Sequence, residues 1–231
     1  MPKFPINHLL KCAQYAQLTY LENIHLLTPT NINTHQGYIF KEEDKLFISF
    51  RGLKSLGDGM NCINAIPKQI STNMYVHSGY YNCYIDMKPH ILDIIADNPT
   101  IDDIVFLGHS MGGSISTIAA YDVQMHLTAS VTKSKNISCV TFGSPPIGNT
   151  EFVKKFNSII ENSYRVTNNY DIIPLLPMYK HVKSHIPIIR IEQRIDQSYN
   201  INKRYIKPHK IEHYIDLLSS HKNKHVLRFN K

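Results

Sequence analysis

Apolar residues recur at two different spacings along the first fifty positions, and each spacing predicts a different element. From Ile6 to Leu18 they fall at roughly helical intervals, which predicts an amphipathic helix. Short β-like runs follow at Gly37–Phe40 and Lys45–Phe50, separated by the charged turn Lys41–Asp44. This arrangement predicts a hairpin at the start of a sheet.

Further along, strand-like and helix-like segments alternate. Apolar or β-like runs predict strands at Ile104–Leu107, Ile137–Phe142 and Ser163–Asn168, and helical spacing marks Gly79–Ala96 and Met111–Leu127. Strands that are apolar throughout are typical of sheets covered by helices on both faces. Strand, helix and strand in succession indicate βαβ units. We therefore expect an α/β fold with a central, mostly parallel sheet flanked by helices.

Length and cysteine usage fit one reduced domain. The chain has 231 residues, 42% of them hydrophobic, and single α/β domains routinely reach this length, so one domain over residues 1–231 is expected. The four cysteines are scattered, with no CxxC pair, which predicts free thiols rather than a disulfide framework. They are Cys12, Cys62, Cys83 and Cys139.

Basic residues exceed acidic ones and give a formal net charge of +7. This charge could favour an anionic membrane surface or nucleic acid, or simply reflect a sequence rich in Lys, Asn and Ile. No zinc-finger spacing, phosphate loop or aromatic-interleaved basic stripe accompanies it, so no nucleic-acid partner is expected. The sequence shows neither a signal peptide nor a transmembrane segment of ~20 apolar residues. We expect a soluble, cytoplasmic protein whose only membrane contact is peripheral.

The strongest chemical signal is the pentapeptide Gly108–Gly112, which has the sequence GHSMG and matches G-x-S-x-G. It follows a buried strand and precedes a helix rich in small residues. A serine on such a sharp turn needs small flanking residues and lies exposed above the helix N-terminus. The motif predicts Ser110 as a nucleophile, with the Met111 amide directed at the oxyanion. A chance glycine-rich turn is the alternative.

A nucleophilic serine needs a base, and the base needs a carboxylate that orients it. In this fold class both follow the serine, in the order Ser, Asp or Glu, His. Asp171 lies just past a predicted strand, where catalytic groups of parallel sheets gather. It is the candidate carboxylate, and a turn or helix-cap aspartate before Pro174 is the alternative.

Five short blocks extend this pattern over most of the chain. They are FRG at Phe50–Gly52, VHSGY at Val76–Tyr80, GHSMGG at Gly108–Gly113, VTFGSPPIGN at Val140–Asn149 and YRVTNNYDIIPLLP at Tyr164–Pro177. In content and order they resemble the class 3 lipases, also called the fungal-lipase-like family. The resemblance implies an α/β-hydrolase fold and ester hydrolysis without a metal or other cofactor. It also implies Ser110 as nucleophile and Asp171 as triad carboxylate.

The same resemblance implies a triad histidine near the carboxy terminus, commonly five residues before a tyrosine and an apolar helix. His209 has this spacing to Tyr214 and is the expected base. His213 is the alternative base, because some members place the aromatic residue closer. His181 and His185 are weaker candidates.

The chain departs from the family pattern after FRG. Members usually carry Ser or Thr there, whose amide donates to the oxyanion and whose hydroxyl supports it, whereas this chain has Leu53. Losing an oxyanion donor can cost ~10²–10³ in rate, but the amide is retained. The resemblance therefore implies an oxyanion hole of the Leu53 and Met111 amides. It also implies a possible lid at residues 53–67, for which an ordinary covering loop is the alternative.

Together these features predict a serine carboxylic-ester hydrolase, a lipase or phospholipase-type esterase that acts on acylglycerols or phospholipids through an acyl-enzyme. Its expected partners are a lipid or small ester substrate and, peripherally, a lipid interface. One alternative is a catalytically silent hydrolase-fold binding protein. Another is a peptidase or acyltransferase that uses the same triad.

Overall fold

Five α-helices, a short 3-10 helix (Ile173–Leu175) and nine strands form within the residues that the computed structural model describes. These residues are 6–21, 30–33, 37–42, 44–53, 66–130, 135–168, 170–175, 188–191 and 209–222. The helices are α1 (Ile6–Leu18), α2 (Ser78–Asp97), α3 (Met111–Ala129), α4 (Thr150–Ile159) and α5 (Ile211–Lys222). The strands are β1 (Thr30–Asn33), β2 (Gly37–Lys41), β3 (Lys45–Phe50), β4 (Pro67–Ser71), β5 (Met74–His77), β6 (Asp103–His109), β7 (Asn136–Phe142), β8 (Asn162–Asn168) and β9 (Ile188–Ile191).

Seven of these described strands form one sheet in the order β1-β2-β3-β6-β7-β8-β9. The first three strands pair antiparallel, and β3, β6, β7, β8 and β9 pair parallel. β4 and β5 form a separate antiparallel pair. The predicted hairpin is confirmed as β2 and β3, and the three predicted strands are confirmed as β6, β7 and β8. The expected α/β fold with a mostly parallel sheet is therefore confirmed.

Side chains of the central strands alternate between two apolar cores. Ile104 and Phe106 of β6 belong to one core, together with apolar residues of α2, α3 and α4. Val105 and Leu107 belong to the other, with apolar residues of α1 and α5. Successive side chains of a strand point to opposite faces, so helices on both faces explain why this strand is apolar throughout.

The carboxyl ends of the central strands lie side by side. Phe50 of β3 pairs with Gly108 of β6, and Phe142 of β7 pairs with both His109 and Val166. The loops that leave β3, β6 and β7 therefore start from one edge of the sheet, and β8 ends beside them. In open parallel sheets this is the edge at which ligands bind.

The described part of the chain bears on two further expectations. None of its helices is both long enough and apolar enough to cross a membrane. The cysteines that it includes, Cys12, Cys83 and Cys139, are thiols that form no disulfide with one another. Cys62 lies outside the described residues.

Candidate active site

Ser110 occupies a strained turn between β6 and α3. Its φ is 58° and its ψ is −132°, a conformation that residues other than glycine rarely adopt. A Cβ at Gly112 would collide with the Phe50 carbonyl, and one at Gly108 would collide with the Gly112 backbone. These two glycines let α3 begin directly against the sheet, and the structure thus contains the sharp strand-to-helix turn that the motif predicts. Ser110 is buried, with 7% of its surface exposed, so the expectation of an exposed serine is wrong.

Three side chains that are far apart in the sequence meet at this turn. Ser110 Oγ lies 2.8 Å from His209 Nε2, and His209 Nδ1 lies 2.7 Å from Asp171 Oδ2. A carboxylate only accepts hydrogen bonds, so Nδ1 donates to it and Nε2 accepts from the serine hydroxyl. The structure therefore brings together the three residues that were predicted as nucleophile, carboxylate and base.

Asp171 accepts two further hydrogen bonds. The Tyr214 hydroxyl donates to Oδ2 at 2.6 Å, and the Ile173 amide donates to Oδ1 at 2.9 Å. Burial, and next the charge of Asp171, raise the pKa of Tyr214, so its hydroxyl keeps the proton that it donates. The Asp171 side chain is buried, and its carboxylate is fixed through both oxygens.

The two candidate bases occupy different positions relative to α5. His209 lies in a short turn before the helix, whereas His213 lies in its first turn and is half-buried. The imidazole that contacts both Ser110 and Asp171 is that of His209. This geometry favours His209 over the alternative base His213. His181 and His185 lie outside the described residues.

The turn after β7 packs directly against the triad. Gly143 has a φ of 58°, and a Cβ there would lie 2.7 Å from Asp171 Oδ2. Glycine is therefore required both for the backbone conformation and for space. Arg165 of β8 is buried and donates to the carbonyls of Ser144 and Pro174, at 3.3 and 3.1 Å. It thereby joins the loop after β7 to the loop that carries Asp171.

The two residues expected to form the oxyanion hole follow positions at the serine turn. Met111 is the first residue of α3, so its amide has no acceptor within the helix. Leu53 follows Gly52, and a Cβ on Gly52 would lie 3.0 Å from the Cβ of Ser110. The Leu53 side chain packs against the core that contains α2 and α3. The contribution of these two amides to catalysis stays a prediction.

Two other sequence expectations concern the surroundings of the site. Residues 54–65 lie outside the described residues, so a lid at 53–67 stays a prediction. Within the described ranges, no group of three or more His, Cys, Asp or Glu side chains is placed to hold a metal ion.

A second histidine, His109, is buried beside the base. Its Nε2 lies 2.5 Å from the main-chain carbonyl of His209, and its Nδ1 lies 2.9 Å from the Tyr20 hydroxyl. Burial, and next the neighbouring His209, lower the pKa of His109 to about 3. The imidazole is therefore neutral at physiological pH, and both of its ring nitrogens are occupied by partners other than Ser110 and Asp171.

Sequence reasoning missed the roles of Tyr20 and Tyr214 in this site. In the sequence, Tyr214 serves only to select His209 by its spacing. A tyrosine at a fixed distance from a triad histidine is nevertheless a signal for a hydrogen-bond partner of Asp171. Tyr20 carries no such signal. Its contact with His109 spans 89 positions and depends on where α1 ends.

The parallel sheet, the strained serine turn and the Ser110–His209–Asp171 contacts define an α/β-hydrolase. Residues 47–181 match the family described as Lipase (class 3). Because this match covers more than half of the sequence, the chain belongs to the class 3 lipase family. The resemblance inferred from the five sequence blocks is confirmed.

Known proteins similar to this chain include a fungal lipase and a plant phospholipase. The lipase of Rhizopus niveus is 28% identical over 160 residues, which are 66% of this chain and 39% of that protein. Phospholipase A1-II 5 of Oryza sativa subsp. indica is 39% identical over 77 residues, 32% of this chain and 17% of that protein. The chain thus spans less than half the length of these relatives.

The fold is also found in solved lipase structures. The structure of Rhizomucor miehei triacylglyceride lipase superposes with a TM-score of 0.71 at 19% sequence identity. The superposition covers 83% of this chain and 82% of that one. At this identity the similarity establishes the α/β-hydrolase fold.

Proposed function

We propose that the protein is a serine carboxylic-ester hydrolase that acts on acylglycerols or phospholipids through an acyl-enzyme. One observation carries the proposal: Ser110 Oγ lies 2.8 Å from His209 Nε2, while His209 Nδ1 lies 2.7 Å from the buried Asp171. A serine, a base and an orienting carboxylate in this arrangement are what acyl transfer requires. The same contacts favour turnover over a catalytically silent binding protein.

Acylation begins when Ser110 Oγ attacks the carbonyl carbon of the ester. His209 Nε2 takes the hydroxyl proton, and Asp171 stabilises the imidazolium that forms. The carbonyl oxygen becomes an oxyanion, to which the Leu53 and Met111 amides donate hydrogen bonds. His209 then gives its proton to the departing alcohol oxygen, and the acyl group remains on Ser110.

Deacylation repeats these steps with water as the nucleophile. His209 removes a proton from the water as its oxygen attacks the acyl carbonyl carbon. The same amides stabilise the second oxyanion. Collapse of this intermediate breaks the bond to Ser110 Oγ, which recovers its proton from His209, and the carboxylic acid is released.

A lipid ester is the substrate class that the relatives support. Their names include a lipase of Rhizopus niveus, a secreted mono- and diacylglycerol lipase of Gibberella zeae and a phospholipase A1 of Oryza sativa. Each of these proteins matches part of this chain. Acylglycerols and phospholipids are therefore both proposed as substrates.

Exposed apolar side chains near the site support peripheral contact with a lipid interface. Ile172 and Leu175 follow Asp171 closely and are 39% and 69% exposed. Ile172 and Leu175 occupy the loop that carries the triad carboxylate. An apolar rim at this position could rest on the surface from which a lipid substrate enters.

A panel of substrates with a nucleophile variant tests the proposed function. Purified protein should hydrolyse soluble p-nitrophenyl butyrate and at least one of emulsified triacylglycerol and phosphatidylcholine vesicles, and Ser110→Ala should hydrolyse none. A folded wild-type protein without activity on these esters would contradict the proposal. Cleavage confined to peptide amides would favour the peptidase alternative, and acyl transfer to an added alcohol in preference to water would favour the acyltransferase.

A further inference from the structure

A continuous series of hydrogen bonds connects Gly52, in the segment between β3 and Leu53, with the base His209. The Gly52 amide donates to the Tyr20 hydroxyl oxygen at 3.1 Å. The Tyr20 hydroxyl in turn lies 2.9 Å from His109 Nδ1, and His109 Nε2 contacts the His209 carbonyl. Tyr20 and His109 thus link the peptide before Leu53 to the main chain of His209.

The direction of each hydrogen bond follows from the groups involved. The His209 carbonyl only accepts, so His109 Nε2 carries the proton and donates it. His109 is buried and neutral, so its Nδ1 has a free lone pair and accepts from the Tyr20 hydroxyl. Burial also raises the pKa of Tyr20, which keeps this hydroxyl protonated. Every donor in this series of hydrogen bonds therefore meets an acceptor.

We propose that Tyr20 is a positioning residue for ester hydrolysis, which acts on the base through His109 and, through Gly52, on the segment after β3 that carries Leu53. The inference rests on the proposed function. By donating to Nδ1, Tyr20 fixes the Nε2–H tautomer of His109, and this tautomer holds the main chain of His209. By accepting from the Gly52 amide, the same hydroxyl anchors the residue before Leu53.

Close packing at Gly52 supports the proposed action of Tyr20 on the segment before Leu53. A Cβ at this position would collide with the Tyr20 hydroxyl and would lie 2.8 Å from the His109 carbonyl oxygen. The backbone at Gly52 is therefore confined between Tyr20 and the serine turn. Leu53 lacks the hydroxyl that the family usually carries at its position. An anchor supplied by Tyr20 to the adjacent peptide gives this segment a fixed position without that hydroxyl.

The neutral state of His109 supports the proposed action of Tyr20 on the base. The ring centroids of His109 and His209 are 4.7 Å apart, and His209 becomes an imidazolium when it takes the serine proton. A positive charge on His109 would repel that imidazolium. The hydrogen bond from Tyr20 occupies the Nδ1 lone pair, the atom at which a second proton would bind.

Removal of one hydroxyl tests this role. In Tyr20→Phe, we expect kcat on p-nitrophenyl butyrate to fall about tenfold while KM is little changed. The lost hydroxyl positions His109 and Gly52 by partly buried hydrogen bonds, and it does not bind the substrate. Tyr15→Phe is the matched control. Tyr15 lies in α1, and its hydroxyl donates to Glu42 at 2.7 Å, so this variant loses a similar bond away from Ser110. Equal kcat values in the two variants would overturn the proposal.

A double-mutant cycle tests whether Tyr20 acts through His109. His109→Gln and Tyr20→Phe should each lower kcat, and the double variant should be much less impaired than the product of the two losses, because residues of one hydrogen-bonded chain are not independent. Multiplicative losses would overturn the route through His109.

Imidazole ¹⁵N spectra of the wild-type protein supply a readout that needs no activity. We expect His109 as the Nε2–H tautomer at neutral pH, and a loss of this fixed tautomer in Tyr20→Phe but not in Tyr15→Phe. An Nδ1–H tautomer or an imidazolium in the wild type would overturn the inference. Absence of ester hydrolysis by the wild type would instead contradict the proposed function, and these spectra would still decide whether Tyr20 fixes His109.

Discussion

The hydroxyl of Tyr214 donates to the same oxygen of Asp171, Oδ2, that accepts the hydrogen bond from His209. The two donors lie 2.6 and 2.7 Å from that oxygen. With the Ile173 amide on the other oxygen, the carboxylate has no freedom to rotate. Tyr214 thereby helps to orient the Asp171 carboxylate toward the imidazole of His209.

Replacing Tyr214 with Phe should lower kcat about tenfold with little change in KM, because a hydrogen bond to a charged group is lost. Steady-state kinetics on a soluble ester measures both constants. Tyr84→Phe is the control, since its hydroxyl donates to Asp122 at 2.6 Å in a contact between α2 and α3. If Tyr84→Phe lowers kcat as much as Tyr214→Phe, the effect is one of general stability and not of Asp171.

Much of the sheet could be predicted because burial on both faces makes a strand apolar throughout. This applies to β6, β7 and most of β3. The β4 and β5 pair could not be predicted in this way. Residues of β4 are exposed or half-buried, so no apolar pattern marks the strand, and its pairing depends on a partner that follows a turn.

Helix α4 illustrates a signal that was present in the sequence but not used. Asn149 lies immediately before the helix, and its side chain accepts from the Phe152 amide, which is the usual role of an N-cap residue. Asn149 was instead noted only as the last residue of a family block. Its capping role and the apolar spacing of Phe152, Val153 and Phe156 together indicate a helix.

The triad could be predicted because motif, chain order and family spacing each restrict the choice of residue. Position alone left His209 and His213 open, and only the fold places His209 before α5. The contacts of Tyr20 and Tyr214 required the fold as well. The Tyr20 contact spans 89 positions and has no local signal. The spacing of Tyr214 from His209 points to that residue, but only the fold brings its hydroxyl to Asp171.

Leu53→Ser should raise kcat, because it restores the hydroxyl that the family usually places beside the oxyanion. The gain should be less than about tenfold, since the amide already present supplies the main donor. Leu53 packs against the apolar core, so the free energy of unfolding should fall by ~1–3 kcal/mol. Leu53→Ala is the control, because it loses the same packing without gaining a hydroxyl. Equal kcat values in Leu53→Ser and Leu53→Ala would contradict a role for the hydroxyl in stabilising the oxyanion.

Leu175→Asp should reduce activity on emulsified triacylglycerol while activity on soluble p-nitrophenyl butyrate is retained. The side chain is 69% exposed, so the change removes apolar surface from the rim without disturbing the core. Met125→Asp is the control, because Met125 is 38% exposed and lies toward the end of α3 far from Ser110. Equal losses on both substrates, or the same loss in Met125→Asp, would argue against contact with a lipid interface.

Acid should destabilise the protein because His109 is buried and neutral. Its pKa is lowered from 6.5 to about 3, so between these values the unfolded chain binds a proton that the folded chain does not. The contribution of His109 is therefore complete above pH 6.5 and is lost as the pH falls, by about 1.4 kcal/mol per pH unit. His77 and His8, whose pKa values burial also lowers, add to the loss in this direction.

Urea unfolding at several pH values between 6.5 and 4.5 measures this dependence. In His109→Gln the free energy of unfolding should decline less steeply with falling pH than in the wild type. His90→Gln is the control, because His90 is exposed and its imidazole is in water in both states. Equal slopes in His109→Gln and the wild type would show that His109 is protonated in the folded protein.

The most direct test of the central claim, that Ser110 is a nucleophile activated by His209, is the rate of covalent modification by a fluorophosphonate, followed by intact mass. Wild-type protein should gain one adduct, and a folded Ser110→Ala variant should gain none. His209→Ala should be slowed by at least ~10³-fold, whereas His213→Ala should react at close to the wild-type rate. An adduct on Ser110→Ala, or a His209→Ala variant that reacts as fast as the wild type, would contradict the account.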